Sequence, residues 1–171
     1  MHWTTDLLTL RPPPVPTVVR HLNKKFSMQN TSEKINTWAD DIIGYWRSKK
    51  ITLSKGASLE EISNTGKKLG FDFPQSFKVL YQKVDGFGNG DWNEAMIAIW
   101  SLERIEEESG RYPDFIGFGD FLINSHVYGF LKNQPGIFKN YDLADTGVPE
   151  KIADTFEEAI DLINSNSDLL Y

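Results

Sequence analysis

Two amphipathic helices in tandem, between Ser58 and Val84, constrain the fold of this chain more than any other feature of its sequence. Ser58 and Glu61 form the pattern of a capping box, which starts a helix that is expected to end at Gly70. A second helix is predicted after Pro74, because its large apolar residues recur at helical spacing as Phe73, Phe77, Leu80, Tyr81 and Val84. Each helix must bury one face against another layer of structure.

The other predicted elements are an earlier helix, several strands and a closing helix. The earlier helix starts at Thr31 or Ser32, and the closing helix starts at Asp154 or Thr155. The strand candidates are 96–100, 115–118, 121–131, 136–138 and 148–152, and a helical turn over 101–107 follows the first of them. Gly117, Gly119 and Gly129 indicate bends or bulges in the strands. This order predicts an α+β domain in which helices pack on a mostly antiparallel sheet.

Residues 1–30 differ from the rest and are interpreted as an N-terminal arm, which leaves 31–171 as the folded domain. Arg11–Pro16 is rich in proline, so it is expected to form a short polyproline II segment rather than a helix or a central strand. The segment is interpreted as a spacer. The alternative is a PxxP docking motif formed by Pro13 and Pro16.

The composition excludes several classes of protein. The chain has 171 residues and no cysteine, so it has no disulfide, no thiolate zinc site and no cysteine nucleophile. Its longest apolar run, Ala95–Trp100, is far shorter than the roughly 20 residues that a membrane-spanning helix needs. The N-terminus lacks the pattern of a signal peptide, so a cytoplasmic location is expected, with no membrane association.

The charge is distributed unevenly along the chain. The net charge is −6, and residues 57–171 hold nine Lys and Arg residues against 20 Asp and Glu residues. A surface of this sign argues against nucleic acid as a partner, because phosphates bind to basic surfaces. It allows a basic protein partner, drawn in by long-range attraction. The alternative is an acidic surface that serves only solubility.

Neither a cofactor nor a metal ion is predicted. Gly86, Gly88 and Gly90 alternate like a phosphate-binding loop, but they follow a helix and precede a strand, which is the wrong context. The same segment lacks two ligands of a calcium loop, since Phe87 and Met96 occupy their positions. The three histidines, which are His2, His21 and His126, do not have the spacing of a metal site.

No catalytic residue is predicted either. Asp120, Ser125 and His126 have the residue types of a hydrolase triad, but neighbouring residues on a strand point to opposite faces. The chain also lacks the GxSxG pattern of a nucleophile elbow. The paired carboxylates lie in Gly-rich or charge-rich segments rather than in apolar ones, which does not favour acid–base catalysis.

Several short segments, in order, are similar to those of one known family. They are Ser58–Ile62, Leu69–Lys78, Asp85–Gly86, Ile99–Ile105, Phe115–Phe121 and Thr155–Ile160. Together they resemble the SUKH superfamily, which includes the Smi/Knr cell-wall regulators and bacterial toxin-immunity proteins, most strongly over residues 58–165. The chain departs from the family at Phe73, where leucine is common, and at Gly66, where an acidic residue is common.

The resemblance implies a single α+β domain, with a curved antiparallel sheet flanked by helices, that binds proteins and has no catalytic residues to transfer. In bacteria such domains bind and neutralise a cognate toxin, often a nuclease, and this is the function that we expect. The alternative is a regulatory or scaffolding protein of the kind that controls cell-wall glucan synthesis. A small-ligand-binding domain or a hydrolase would instead need a deep pocket near Asp120 and His126.

The partner-binding surface is predicted in the acidic segments that follow the second helix of the tandem pair. Asp85, Asp91, Trp92 and Glu94 combine negative charge with an aromatic anchor, a mixture that is typical of interface hot spots. A rim is expected from Glu106, Glu107 and Asp114. The alternative for Trp92 is that it packs onto the core. The expected partner is a basic toxin domain, and the sequence gives no oligomeric state.

Overall fold

Helices and two antiparallel sheets alternate along the chain. The computed structural model describes residues 17–111, 113–141 and 148–171. The elements in chain order are α1 (Thr17–Ser48), β1 (Leu53–Lys55), α2 (Leu59–Leu69), α3 (Gln75–Lys83), β2 (Val84–Phe87), β3 (Ile97–Ile99), α4 (Leu102–Glu108), β4 (Phe115–Phe121), β5 (His126–Leu131), β6 (Gln134–Tyr141), β7 (Glu150–Ala153) and α5 (Phe156–Ser165). The Pro-rich segment Arg11–Pro16 lies outside the described residues.

The chain divides into two compact units, Met1–Lys34 and Ile35–Tyr171. In the first unit, the structure describes the helix from Thr17 onward, and α1 therefore begins before Thr31, the start predicted from the sequence. The second unit holds both sheets and the hydrophobic core. It has the α+β architecture that the order of elements predicts.

The larger sheet is antiparallel throughout, with the strands in the order β3-β4-β5-β6-β7. Strands β1 and β2 form a separate two-stranded sheet. The register of β4 against β5 shifts between Gly117 and Gly119, and that of β5 against β6 shifts between Gly129 and Leu131. The predicted bulges at these glycines are confirmed.

Local sequence signals explain the ends of the helices. Ser58 and Glu61 form the predicted capping box of α2, which ends at Gly70 with φ 65°. Thr155 and Glu158 form an equivalent box at the start of α5. In each box the hydroxyl and the carboxylate accept hydrogen bonds from backbone N–H groups that have no partner inside the helix.

An aromatic cluster forms the centre of the core. Phe77 of α3 is fully buried and stacks on Phe73 and Tyr81, with ring centroids 4.2 Å and 3.9 Å apart. Its ring also meets Phe130 of β5 and Phe156 of α5 edge-on, at 5.9 Å and 5.3 Å. The apolar stripe read from the sequence is therefore the face of α3 that packs on the sheet and on α5.

Besides the start of α1, two further predictions of secondary structure are wrong. Residues 121–131 do not form one strand, because a turn at 122–125 separates β4 from β5. Val84 ends the stripe of α3 but also begins β2, a strand that was not predicted. At Val84 the backbone is already extended, with φ −144° and ψ 130°, while its N–H still donates to the carbonyl of Leu80. The chain thus passes from helix to strand without an intervening turn.

We expect alanine substitution of two helical glycines to change stability in opposite directions. A Cβ atom at Gly66 of α2 would lie 2.7 Å from the carbonyl oxygen of Phe71, whereas a Cβ at Gly44 of α1 would meet nothing within 4 Å. Gly66→Ala should therefore lower the free energy of unfolding by about 1–3 kcal/mol, because backbone must shift to admit the methyl group.

Gly44→Ala is the matched control and should raise the free energy of unfolding by about 1 kcal/mol, since alanine is the better helix former at an open position. Urea denaturation followed by circular dichroism measures both values. If Gly66→Ala also stabilised the protein, the close packing of α2 against the Gly70–Pro74 link would be wrong.

Candidate partner-binding surface

An open groove lies between α2, β2 and α4. Its volume is about 390 Å³, and its charged lining consists of Glu61, Lys68, Asp85, Glu103 and Glu106. We call it the acidic groove, because it contains four carboxylates and one ammonium group. Three elements that are distant in sequence build it, and the hydrogen bonds described below hold them together.

Asp85 occupies the half-buried floor of the acidic groove. Its Oδ1 accepts a hydrogen bond from the N–H of Leu102 at 2.8 Å, which ties β2 to the start of α4. Burial raises the pKa of Asp85, although that hydrogen bond acts in the opposite direction, and the charges of Glu61 and Glu103 raise it further. A cationic group that entered the groove would relieve this repulsion.

Glu106 braces α4 against α2. Its Oε1 accepts a hydrogen bond from Thr65 and its Oε2 accepts one from Lys68, both at 2.6 Å. These two bonds and the charge of Lys68 lower the pKa of Glu106. Both carboxylate oxygens already have partners within the chain, so Glu106 has a structural role whether or not it contacts a partner.

A second acidic segment, residues 91–94, follows β2 and is called the acidic loop. Asp91 Oδ2 accepts a hydrogen bond from the N–H of Thr52 at 2.7 Å, and its Oδ1 accepts one from the N–H of Trp92 at 2.9 Å. The bond from Thr52 is the main cause of the lowered pKa of Asp91. Glu94 pairs with Lys49 at 3.3 Å on the surface.

Trp92 projects from the acidic loop. Half of its surface is exposed, so it does not pack fully into the core, which was the alternative interpretation of this residue. Asn93, the next residue, fixes the loop because its Oδ1 accepts hydrogen bonds from the N–H groups of Ala95 and Ile97, at 3.0 Å and 2.9 Å. The loop thus holds an exposed aromatic ring between two acidic side chains.

The seven residues predicted to bind a partner therefore fall into separate groups. Asp85 and Glu106 line the acidic groove, whereas Asp91, Trp92 and Glu94 form the acidic loop. Glu107 is exposed on α4, one position after Glu106. Asp114 is exposed just before β4, where its carbonyl accepts a hydrogen bond from the N–H of Lys132.

The side chains with triad residue types are not arranged as a triad. The carboxylate of Asp120 accepts hydrogen bonds from Trp100 and from the N–H of Asn124 and pairs with Arg104. His126 instead lies against the rings of Phe121 and Tyr141, at 5.3 Å and 4.3 Å. Within residues 17–111, 113–141 and 148–171, no group of three or more residues is placed to hold a metal ion.

The sequence did not reveal the turn that Asp120 supports. Leu122, Ile123 and Asn124 have φ values of 46°, 54° and 66°, so three consecutive residues are left-handed, and we call this segment the left-handed turn. Arg104 of α4 donates to Asn124 Oδ1 at 3.1 Å. The one local signal is Asn124-Ser125, two turn-forming residues that follow an apolar pair.

The environment of His126 leads us to expect that the stability of the protein depends on pH. Its Nδ1 is buried and has no hydrogen-bond partner in the part of the chain that the structure describes. Burial lowers the pKa of His126, and the nearby charge of Lys139 lowers it further. The unfolded chain therefore binds a proton at this residue from about pH 6.5 downward, before the folded protein does. The protein therefore loses stability as the pH falls from about 6.5 to the lower pKa that His126 has in the folded state.

His126→Phe should reduce the difference in melting temperature between about pH 8 and about pH 5.5, because phenylalanine does not titrate in this range. Thermal unfolding of both proteins at the two pH values measures that difference. Asp85 titrates in both proteins, so its contribution cancels in the comparison. Equal pH dependence of the two proteins would show that His126 is not the group responsible.

The fold is an α+β domain with an acidic groove and an acidic loop, and carboxylates in both hold elements of the chain together. Residues 56–162 match the SMI1 / KNR4 family (SUKH-1), and the chain therefore belongs to this family. A comparison with curated proteins found no match. Among the described residues, no helix has both the length and the apolar character needed to cross a membrane.

Proposed function

We propose that this protein is an immunity protein, which binds a cognate toxin and neutralises it, and that the toxin domain is basic, as a nuclease is. The observation that carries the proposal is the presence of two acidic features, the acidic groove and the acidic loop. Both present carboxylates on rigid elements, and neither contains a group that is arranged for catalysis. The SMI1 / KNR4 family (SUKH-1), to which the chain belongs, is generally non-catalytic, which supports a binding role.

Electrostatics favour a basic partner. A domain that binds nucleic acid has a surface rich in Lys and Arg, because it must neutralise phosphates. Such a surface is attracted to carboxylates, and the attraction accelerates association. Covering that basic surface would also keep the nucleic acid away from it. Binding in the groove would thus neutralise the toxin without any chemical reaction.

The carboxylates are expected to contribute unequally. Asp91 and Glu106 already accept hydrogen bonds with both oxygens, so they position their elements more than they contact a partner. Glu94 is 79% exposed at its side chain, and its pair with Lys49 is a weak surface contact. Glu107 is exposed on α4. Glu94 and Glu107 are therefore the residues to neutralise in a test.

Neutralising both residues, as Glu94→Gln with Glu107→Gln, should weaken partner binding about tenfold at low salt and less at physiological salt. The partner is first isolated by affinity capture from the native lysate at both salt concentrations, and its binding to the purified chain is then measured. The matched control is Asp72→Asn with Asp161→Asn, which removes equal charge from other exposed positions and should leave the affinity unchanged.

Co-expression separates this proposal from the regulatory alternative. If the captured partner arrests growth when expressed alone and co-expression of this chain restores growth, the immunity function is supported. A partner that belongs to a cell-wall synthesis system, and that causes no growth arrest, would favour the regulatory or scaffolding function. Equal affinities for the two double variants would place the interface away from the acidic segments.

A further inference from the structure

The left-handed turn places apolar residues in a conformation that they disfavour. L-residues lose roughly 1–2 kcal/mol each in left-handed helical geometry, and a β-branched residue such as Ile123 is disfavoured most of all. Glycine or asparagine would adopt the same backbone at lower cost. Strain of this kind persists only where the surrounding structure enforces it, and it concentrates at functional sites.

Contacts from three directions enforce the turn. Inside the hairpin, the buried carboxylate of Asp120 accepts a hydrogen bond from the N–H of Asn124 at 2.8 Å, and Ser125 donates to the carbonyl of Phe121 at 2.9 Å. From α4, Arg104 donates to Asn124, and its guanidinium lies over the ring of Trp100 at 4.5 Å. The turn is therefore a rigid part of the structure.

The third contact connects the turn to the acidic loop. Leu122 donates to the carbonyl of Met96 at 3.1 Å, and Met96 donates to the carbonyl of Asn93 at 2.9 Å. Asn93 directly follows Trp92, the exposed aromatic residue of that loop. The two segments are thus fixed relative to one another by backbone hydrogen bonds.

This rigid turn displays apolar surface to solvent. Ile123 is 81% exposed, while Leu122 and Met96 are each 43% exposed. We call these three residues the apolar tip. Rigid apolar groups that project from a surface lose little conformational entropy on binding, which suits them to anchor an interface. Asp91 and Glu94 place negative charge in the acidic loop, which backbone hydrogen bonds connect to Met96 and Leu122 of the tip.

We propose that Ile123 is the central anchor of the partner interface and that it contacts a large apolar side chain, flanked by Lys and Arg, on a basic protein. The occupant follows from Asp91 and Glu94 in the connected acidic loop, which would attract flanking cations and repel flanking anions. This inference rests on the proposed function as far as the partner is a basic protein. It adds the residue that anchors the contact.

The first test measures the backbone strain at Ile123 through its effect on thermal stability. Ile123→Gly and Ile123→Asn should each raise the melting temperature by about 2–4 °C, because the left-handed backbone suits the new residues better. Val148→Asn is the matched control, since Val148 is also a β-branched residue and is 89% exposed. Its melting temperature should remain unchanged. A fall in melting temperature for both Ile123 variants would overturn the claim of strain.

The second test uses a defined probe, a phage-displayed library of short peptides in two pools. One pool contains Lys and Arg as its only charged residues, and the other contains Asp and Glu. The full chain should enrich peptides from the basic pool that carry a large apolar residue, and Ile123→Gly should bind them at least about tenfold more weakly. Val148→Asn should bind them as the unsubstituted chain does.

The outcomes distinguish this inference from the proposed function. Peptides that bind the Ile123→Gly variant as tightly as the unsubstituted chain, enrichment from the acidic pool, or no enrichment would each overturn the anchor. None of these results affects the capture and co-expression experiments, which test the immunity function with the native partner. If those experiments fail but basic peptides are still enriched selectively, the result would indicate a basic partner that does not belong to a toxin system.

Discussion

Asp120→Ala is expected to lower the free energy of unfolding by about 3 kcal/mol, because it removes the acceptor of a buried polar network. The side chain of Asp120 is 4% exposed, and it accepts hydrogen bonds from Trp100 and from the backbone of Asn124. Both donors would lose a buried partner, and each such loss costs about 1–3 kcal/mol. Arg104, which pairs with Asp120 at 3.2 Å, is one-third exposed, so water offsets part of its loss.

The matched control is Glu94→Ala, which breaks the exposed pair with Lys49 and should change stability by less than about 1 kcal/mol. Urea denaturation measures both variants. Hydrogen exchange at the amide of Asn124 provides a local readout, since this N–H loses its acceptor in Asp120→Ala and should exchange faster. A cost no larger than that of Glu94→Ala would mean that the network does not stabilise the fold.

The same substitution links stability to the proposed anchor. Asp120 is buried and accepts a hydrogen bond from the N–H of Asn124, so it acts as a positioning residue that fixes the left-handed turn. We therefore expect Asp120→Ala to weaken the binding of the selected basic peptides, whereas Ile123→Gly should weaken binding while stabilising the fold. If both variants bind the peptides more weakly, but Asp120→Ala destabilises the fold and Ile123→Gly stabilises it, then Asp120 positions the turn and Ile123 makes the contact.

Helices α2 and α3 were predictable because their signals are local. The capping box at Ser58 and Glu61, the left-handed end at Gly70 and the spacing of Phe73, Phe77 and Tyr81 all act within a few residues. The left-handed turn was not predictable, because Leu122 and Ile123 favour extended backbone. Their conformation depends on Asp120 and on Arg104, which is 20 residues away from Asn124 in the chain.

The sequence indicates which residues compose the candidate site but not how they are organised, and the binding role of these residues stays a prediction. It points to the acidic residues near Trp92, and the exposure of that ring is compatible with an anchor. It did not reveal that Thr52 and Lys68 bind the carboxylates of Asp91 and Glu106. Those contacts join residues 39 and 38 positions apart, so they arise only after the elements have packed. They make Asp91 and Glu106 poor choices for a test of binding.

The packing of the core predicts the largest single effect. Phe77→Ala should lower the free energy of unfolding by about 3–5 kcal/mol, since it removes a fully buried ring and leaves a cavity that its neighbours fill only in part. The ring contacts four other aromatic side chains, which are Phe73, Tyr81, Phe130 and Phe156. Phe77→Leu should cost less than half as much, because most of the apolar volume remains.

Phe71→Ala is the matched control for burial. Phe71 belongs to the same aromatic cluster, where it contacts Phe73 and Phe130, but it is only partly buried. Removing its ring opens space that water can enter, so it should cost markedly less than Phe77→Ala. Equal costs for the two alanine variants would contradict the central position of Phe77, and the stack of three rings along α3 would then not be the centre of the core.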